Sequence, residues 1–530
     1  MLSLSVPVYI LSGLLLITLL VSILLSQRLE SIVADDHLHL AITSSSSGHD
    51  NHQPPHLYPR LPHLPPFPTI PNATLLINQT LYENKPTIAG IAALLYKHIN
   101  ALHESNRRIT KNLTLTPKHG GQKKREGEAI IVREAYFRLL EDNIREFENA
   151  YYGRSIFTVR DDDSILLSIA SYREHLLGET LMSAYAQADG PDNLFVGVVV
   201  NNCFGNDADF PCTGTAEVVG KDRKGLDKLQ SVDGKPDANG IEIFCGNSTF
   251  QKYCDNGQVR VIYLHEVDAL GPAVARYYAS KLWGGETFFM QIDSHTRFAR
   301  NWDKLYIEDL KLTSSYPKSV LSTYPPGFIN LSPEPPYKPS TKLCKCRMRA
   351  DEDFLPRVEL EGHSKENETR PSQTRFMGAG FFFTSAQFLV DVPFDPYMAW
   401  LFMGEEVALS IRAWTSGYNL YAPRKNLVGH QYRPNKFGNP HFWDIWHKFF
   451  HRPQLMDRLS PTTHDRIKVM MGYPKNDLSE PSSNEYASVE LSKYGLGTVR
   501  SREEYLKFAS IDIETRTCGE LKWCNEGTLQ

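Results

Sequence analysis

Apolar residues recur along this chain in three rhythms, and each predicts a different element. The first is continuous: Val6 to Leu25 (VPVYILSGLLLITLLVSILL) holds roughly twenty uncharged, mostly apolar residues, enough to cross a bilayer as a helix. A cleavable signal peptide is the competing reading, but its apolar core runs about 7–15 residues behind a positive n-region, which this sequence lacks. The second rhythm has helical spacing. Val132, Tyr136, Leu140, Ile144, Phe147 and Tyr151 repeat among charged residues, which predicts an amphipathic neck helix over 128–152. Its apolar stripe needs a cover, either the body of the same chain or a second copy in a homodimer. The third rhythm is short and blocky. ILLSIASYRE after Ser164, a helical HLLGETLMSAYAQA and then LFVGVVVNN predict strand, helix, strand, the start of a parallel α/β sheet whose ligands gather at the carboxyl ends of its strands.

Between the apolar run and the neck, Ser44 to Pro71 is rich in Ser, His and Pro, a composition that buries no core and reads as a stem. Acceptor sequons stand at Asn72, Asn78 and Asn112, and further ones at Asn247, Asn330 and Asn367. The eight cysteines all lie beyond the stem and are even in number, which fits disulfides in an oxidising lumen; buried free thiols are the alternative, and spacing does not fix the pairing. A chain that is 41% hydrophobic and 22% charged can form an enzyme-sized core, and its net charge of -4 argues against nucleic acid as a partner. No Lys or Arg precedes Val6 and Arg28 follows Leu25, so charge alone leaves the membrane orientation unset.

The candidate chemistry begins with FFMQIDSH, an apolar run ending in Asp293 and His295. Alternation along a strand would point both side chains to one face, where an oxygen and an imidazole nitrogen share one divalent cation; a turn with a capping Asp is the plain reading. Ser168, Ser171, Tyr172 and Arg173 lie at the carboxyl end of the first predicted strand. No Gly-x-Gly-x-x-Gly or P-loop is present, which disfavours a Rossmann dinucleotide site. Arg276, on a helix opening at Gly271-Pro272, either faces the same site or is solvated. Gly378-Ala379-Gly380 lets backbone approach a ligand closely, and Gly404-Glu405-Glu406 places two carboxylates at a helix start, where they also complement the helix dipole. Leu427 to Arg433 is a short strand-like run carrying His430. In Pro440–His451, His447 and His451 stand four apart without the Glu of a metalloprotease, so this aromatic stretch reads as core packing or as an acceptor shelf.

Taken in order, SIASYRE, GPAVAR, QIDSHTRF, GAGFFF, GEEVALSIRAW and VGHQYRP resemble the nucleotide-sugar-dependent glycosyltransferases of GT-A fold. Within these, the chain is most similar, from about Ile165 to Asp512, to the hydroxyproline N-acetylglucosaminyltransferases founded on an enzyme that modifies a cytoplasmic ubiquitin-ligase subunit. It more distantly resembles the polypeptide N-acetylgalactosaminyltransferases, from which it departs by Glu406 in place of an Asn and by too short a C-terminal stretch for their lectin domain.

The resemblance implies an α/β GT-A nucleotide-diphospho-sugar transferase fold, with a mostly parallel sheet flanked by helices. It implies a metal site of Asp293, His295 and His430 holding Mn²⁺ or Mg²⁺, and UDP-GlcNAc as donor. Ser168, Arg173, Arg276, Gly378, Gly380 and Arg433 would serve the donor, with Glu405 and Glu406 as catalytic carboxylates. The expected reaction moves GlcNAc to a hydroxyl of hydroxyproline, Thr or Ser in a polypeptide, with retention; a covalent route would use Glu405, a same-face attack needs only the leaving phosphate. Alternatives are another UDP-sugar such as UDP-GalNAc, or a catalytically silent sugar-binding or scaffold protein. The organisation expected is a tail (1–5), a transmembrane helix (6–25), a stem (26–127), the neck helix (128–152), a catalytic domain (160–455) and its C-terminal extension (456–530). That makes a single-pass type II protein of the Golgi or ER membrane with a lumenal catalytic domain.

Overall fold

Strands that are apolar on both faces are stable only in the middle of a sheet covered on both sides, and two such strands set this architecture. In the computed structural model, which describes residues 70–112, 122–205, 211–432, 452–479 and 483–526, these are β1 (Ile165–Tyr172) and β2 (Leu194–Asn202). The expected span at Val6–Leu25, the Pro-rich stretch up to Thr69, Arg433 and the aromatic segment Pro440–His451 lie outside the described residues. Around β1 and β2 assemble β3 (Val259–His265), β4 (Phe288–Asp293), β5 (Ser319–Ser322), β6 (Ser372–Thr374), β7 (Phe381–Ser385) and β8 (Asn419–Ala422). The order across the sheet is β6-β8-β5-β7-β4-β1-β2-β3. β3, β2, β1 and β4 run parallel, β7 is antiparallel to β4 and β5, β8 is parallel to β5, and β6 closes the edge antiparallel. The mostly parallel sheet is thus as expected.

Alternation along the strands divides the core in two. Leu166, Val199, Phe289 and Phe382 face one layer, while Leu167, Val198, Met290 and Phe383 face the other, with Leu181, Trp302 and Tyr306. Residues ahead of the sheet join the first layer through two helices, α1 (Ile88–Asn112) and α2 (Gln122–Asn143). Part of the expected stem is therefore folded. Ile91, Leu95 and Ile99 of α1 are fully buried, the Tyr96 hydroxyl accepts the Tyr263 N–H at 3.0 Å, and Asn106 donates to Asp268 at 2.9 Å. The reason stands in the sequence: IAGIAALLYKHINALHE has apolar residues three and four apart, a signal overshadowed by the Pro-rich stretch before it. The neck stripe is covered by the same chain. Val132, Tyr136, Leu140, Ile144, Phe147 and Tyr151 all join this core, and the Tyr136 hydroxyl donates to the Pro396 carbonyl at 2.8 Å.

Two more helices matter for the site, α3 (Pro272–Ser280) and α4 (Glu405–Thr415). The C-terminal extension is clasped onto α4's side of the body. Cys344 pairs with Cys524 and Cys346 with Cys518, Arg375 donates to the Ala509 and Gly519 carbonyls, and Arg466 meets Asp395 at 2.6 Å in a buried pair. The remaining cysteines pair locally as Cys203–Cys212 and Cys245–Cys254, so no cysteine is left free. Among the described residues no helix is long and apolar enough to cross a membrane.

Placing α1 in the core has a measurable consequence. Leu95→Ala is expected to destabilise the protein by about 2–5 kcal/mol in urea unfolding, the cost of a buried large-to-small change. A change below about 0.5 kcal/mol, ordinary for an exposed position, would return this helix to the stem.

Candidate active site

Strand order reverses between β1 and β4, so the crevice at their carboxyl ends is where a ligand has room to enter. Asp293 ends β4 in register with Ala170 of β1. The chain then bends at Ser294 and His295 and resumes as Thr296–Phe298. This corrects one expectation: Asp293 and His295 do not sit on one strand face, because β4 stops at Asp293. A turn brings them together instead. It is pinned by Thr180 donating to the Ser294 carbonyl and Thr296 to the Asp293 carbonyl, each at 2.8 Å.

His430 arrives by strand pairing. Val428–His430 runs antiparallel to Thr296–Phe298 with His430 opposite Thr296, the Gln431 N–H donates to the His295 carbonyl at 3.1 Å, and the His430 N–H donates to Pro326 at 2.9 Å. The His295 and His430 ring centroids are 4.6 Å apart, and His430 Nε2 is 3.0 Å from Asp293 Oδ2. One ligand atom from each of Asp293, His295 and His430 lies within 4.8 Å of the others. Ligands of one ion at metal–ligand bonds of about 2.1 Å stand roughly 3–4.3 Å apart, so the triad is close to closing on a cation.

Second contacts hold these groups. His295 Nδ1 is 2.9 Å from Glu174 Oε2, a residue that sequence reasoning passed over although it closes the SIASYRE run. Burial alone would raise the Asp293 pKa, but the His430 hydrogen bond and the Arg276 charge outweigh it and hold the carboxyl well below the usual range. Glu174 behaves alike: burial is outweighed by hydrogen bonds from His175 and His295. Burial lowers the His430 pKa, whereas His295 rises against burial because Glu174 accepts from it.

Arg276, on α3, faces the site. It is buried, reaches Asp293 Oδ1 at 2.8 Å and holds both oxygens of Glu405 at 2.6 Å. Glu405 and Glu406 open α4 behind Gly404, whose φ of 91° suits glycine and where a Cβ would stand 2.8 Å from Ile467. Glu406 takes hydrogen bonds from the Tyr324 hydroxyl at 2.5 Å and the Ala379 N–H at 3.2 Å, yet burial pushes its carboxyl up to about 7. Tyr324, a second residue not foreseen, follows β5, and its only sequence signal is the Tyr-Pro-Pro turn. Gly380 lies against the triad: a Cβ there would be 3.0 Å from Asp293 Oδ2, and one at Gly378 would be 3.0 Å from the Tyr324 ring.

Two donor candidates sit differently. Ser168 pairs in register with Gln291, below the triad; its hydroxyl is buried without a hydrogen-bond partner among the described residues. Arg173 is buried with its guanidinium engaged by Asp237 at 2.7 and 2.9 Å, Glu266 at 2.8 Å and the Thr213 carbonyl at 2.8 Å, so it braces the wall beside the crevice. Arg433 lies outside the described residues; its neighbour Tyr432 donates to the Pro325 carbonyl at 2.7 Å and packs on His430 with ring centroids 4.3 Å apart.

Residues 164–515 match a family model described as Glycosyltransferase (GlcNAc). Similar solved structures include GalNAc-T7 with UDP, GalNAc and Mn²⁺, at 17% identity and a TM-score of 0.37 over 68% of this chain; the chain spans 56% of that protein's length. TarS of S. aureus with UDP-GlcNAc is similar at 13% identity and TM-score 0.30, covering 67% of this chain and 77% of that one. The mannosyltransferase PcManGT of Pyrobaculum calidifontis, with GDP-Man and Mn²⁺, is similar at 14% identity and TM-score 0.28, covering 69% and 86%. No curated protein matches the chain by sequence.

The Glu406 environment sets a pH dependence. A carboxyl whose pKa rises from 4.5 to about 7 on folding binds its proton more tightly in the folded state, so its contribution is greatest below pH 4.5 and is lost as pH rises through 7. Between pH 4.5 and 7, Glu406→Gln is expected to flatten this loss by up to about 3 kcal/mol in urea unfolding. Parallel curves for wild type and variant would place Glu406 in water.

Proposed function

Since this chain belongs to the Glycosyltransferase (GlcNAc) family, whose model covers residues 164–515, we propose that it moves N-acetylglucosamine from UDP-GlcNAc to a hydroxyl of a polypeptide, on hydroxyproline, Thr or Ser. The observation that carries this reading is the convergence of Asp293, His295 and His430 within 4.8 Å at the end of β4. One carboxylate oxygen and two imidazole nitrogens form a mixed donor set that suits Mn²⁺ better than Mg²⁺. The residues fit: His430 Nε2 and Asp293 Oδ2 already meet, and Glu174 occupies Nδ1 of His295 so that its other ring nitrogen is left for the ion. When bound, Mn²⁺ supplies a positive charge for the diphosphate that leaves as the sugar is transferred.

The chain's own residues do the rest. Arg276 fixes Asp293 in place and keeps a positive charge beside the crevice. Gly378 and Gly380 leave room where side chains would fill it, and near the β1 end the unpartnered Ser171 hydroxyl offers a hydrogen bond to a donor nucleotide, with Ser168 deeper in the same strand. Glu406, braced by Tyr324 and half protonated near neutrality, is suited to orient a sugar or acceptor hydroxyl. Glu405 has both oxygens taken by Arg276, which disfavours it as a covalent nucleophile and favours same-face attack with retention. For the setting, we propose the lumen of the Golgi or ER behind a type II anchor. All eight cysteines are paired, and the sequon residues Asn72, Asn78, Asn247, Asn330 and Asn367 are exposed.

Purified protein given UDP-GlcNAc and Mn²⁺ is expected to release UDP slowly, and a hydroxyl-bearing peptide screen read by mass spectrometry to reveal the acceptor. Asp293→Ala and chelation should each lower the rate by at least about a hundredfold. Wild-type protein that binds donor but never turns over with acceptors present would leave a silent sugar-binding protein. For the route, no glycosyl-enzyme should be trapped on Glu405; a mass shift on its peptide would restore the covalent path.

A further inference from the structure

Resting on the metal site proposed above, we propose that Glu174 is the positioning residue that sets His295 toward the cation, and that His175 and Asp227 extend this support to the hairpin formed by Thr215–Lys221 and Asp227–Val232. The groups form one chain. His295 Nδ1 is 2.9 Å from Glu174 Oε2, Glu174 Oε1 is 3.0 Å from His175 Nδ1, His175 Nε2 is 3.3 Å from Asp227 Oδ2, and Asp227 Oδ1 is 2.6 Å from Lys221 Nζ. The contacts of His175 are at ion-pairing distance but lack hydrogen-bond alignment. All four inner side chains are largely buried, between 4% and 16% exposed, so the contacts are poorly screened by water. Only Lys221 reaches solvent.

The chemistry follows from the middle link. An ionised carboxylate accepts hydrogen bonds and cannot donate, so Nδ1 of His295 carries the hydrogen and Nε2 keeps its lone pair for a cation. Without Glu174 the ring is free to change tautomer and to turn, which weakens a metal site without removing a ligand. Glu174 is itself fixed, because the Leu176 N–H donates to Oε1 at 3.0 Å and the preceding Arg173 is held at a φ of 49° by its ion pairs. The same guanidinium also grips the base of the hairpin, donating to the Thr213 carbonyl and the Thr215 hydroxyl beside the Cys203–Cys212 disulfide. The hairpin beyond is exposed and presents Val218 and Val219 outward, 53% and 51% accessible. It is therefore placed so that what it contacts bears on a metal ligand through three side chains.

The test measures Mn²⁺ affinity, not turnover, on the solubilised full chain, by the electron paramagnetic resonance signal of free Mn²⁺. Wild type is expected to bind one ion. Glu174→Ala should weaken binding by about ten- to a hundredfold, Glu174→Gln should recover most of it by keeping an acceptor oxygen, and Glu174→Ala in a His295→Ala background should bring no further loss. Asp227→Ala, on the hairpin, should weaken binding in the same direction by less. The proposal fails if Glu174→Ala leaves affinity within about twofold of wild type, or if its effect persists in full without His295. An unchanged affinity in Asp227→Ala removes the hairpin from the chain of support. Wild-type protein that binds no Mn²⁺ overturns the metal site itself, a result distinct from these.

Discussion

One guanidinium makes the rest of the site affordable. Asp293 and Glu405 come from segments more than a hundred residues apart and meet at the same guanidinium, Glu405 buried and Asp293 partly so. Two carboxylates withdrawn from water in one crevice would ordinarily protonate or push apart, because desolvation and like-charge repulsion both disfavour the ionised pair. Arg276 lies between them with a bond to Asp293 and a double contact to Glu405, so a positive charge stands between the two carboxylates. Removing Arg276 would leave Glu405 without its cation and Asp293 with His430 alone, and breaking such a buried pair typically costs about 3–5 kcal/mol. The α3 helix is thereby obliged to face the crevice, α4 is obliged to start there, and the end of β4 is held between them.

How much of this was readable beforehand depended on range. Local patterns were readable: the buried runs of β1 and β2, the Gly-Glu-Glu helix start and the buried stripe at 132–151 are all present, although the stripe runs over two helices, α2 and Arg145–Ala150, broken at Ile144, and not over one neck helix. That Asp293, His295 and His430 come together was readable too, but for a partly mistaken reason. Alternation on one strand was to have joined Asp293 to His295, whereas a turn and a cross-strand pairing with Val428–His430 do so. Pairings that span the chain were not readable. Nothing local at Cys344 or Cys346 says that partners lie 180 and 172 residues on, and nothing at Glu174 announces that His295 will come to rest on it. The α1 helix was missed for another reason: its own spacing is clear, but a Pro-rich neighbour drew the boundary too late.

Those long-range ties also explain why the catalytic body begins before the sheet and ends well after it. The sheet face holding Leu166, Phe289 and Phe382 is covered by α3, which lies on β1 and β2, and α1 and α2 add their apolar residues to the same core. Against α4, Ile467 of the C-terminal extension and Leu355 from before β6 lie so close to Gly404 that a Cβ there would meet them. The start of α4, and with it both glutamates, is thus set in part by packing contributed from the end of the chain.

The two adjacent glutamates show how environment, not sequence, divides their roles. Both open the same helix, and a carboxylate near a helix N-terminus is favoured in either position. Glu405 turns to Arg276 and is spent as an ionic strut. Glu406 receives a tyrosyl hydroxyl and one backbone N–H instead of a cation, with Glu405's own charge adding to the burial that raises its pKa. A carboxyl so poised can hold or release a proton near neutrality, while one clamped by a guanidinium cannot readily form a bond to carbon. If the sugar is transferred with retention, this division places the burden of attack on the acceptor and the departing phosphate. In the proposed reaction, that would leave Glu406 and Tyr324 to hold the attacking hydroxyl in line.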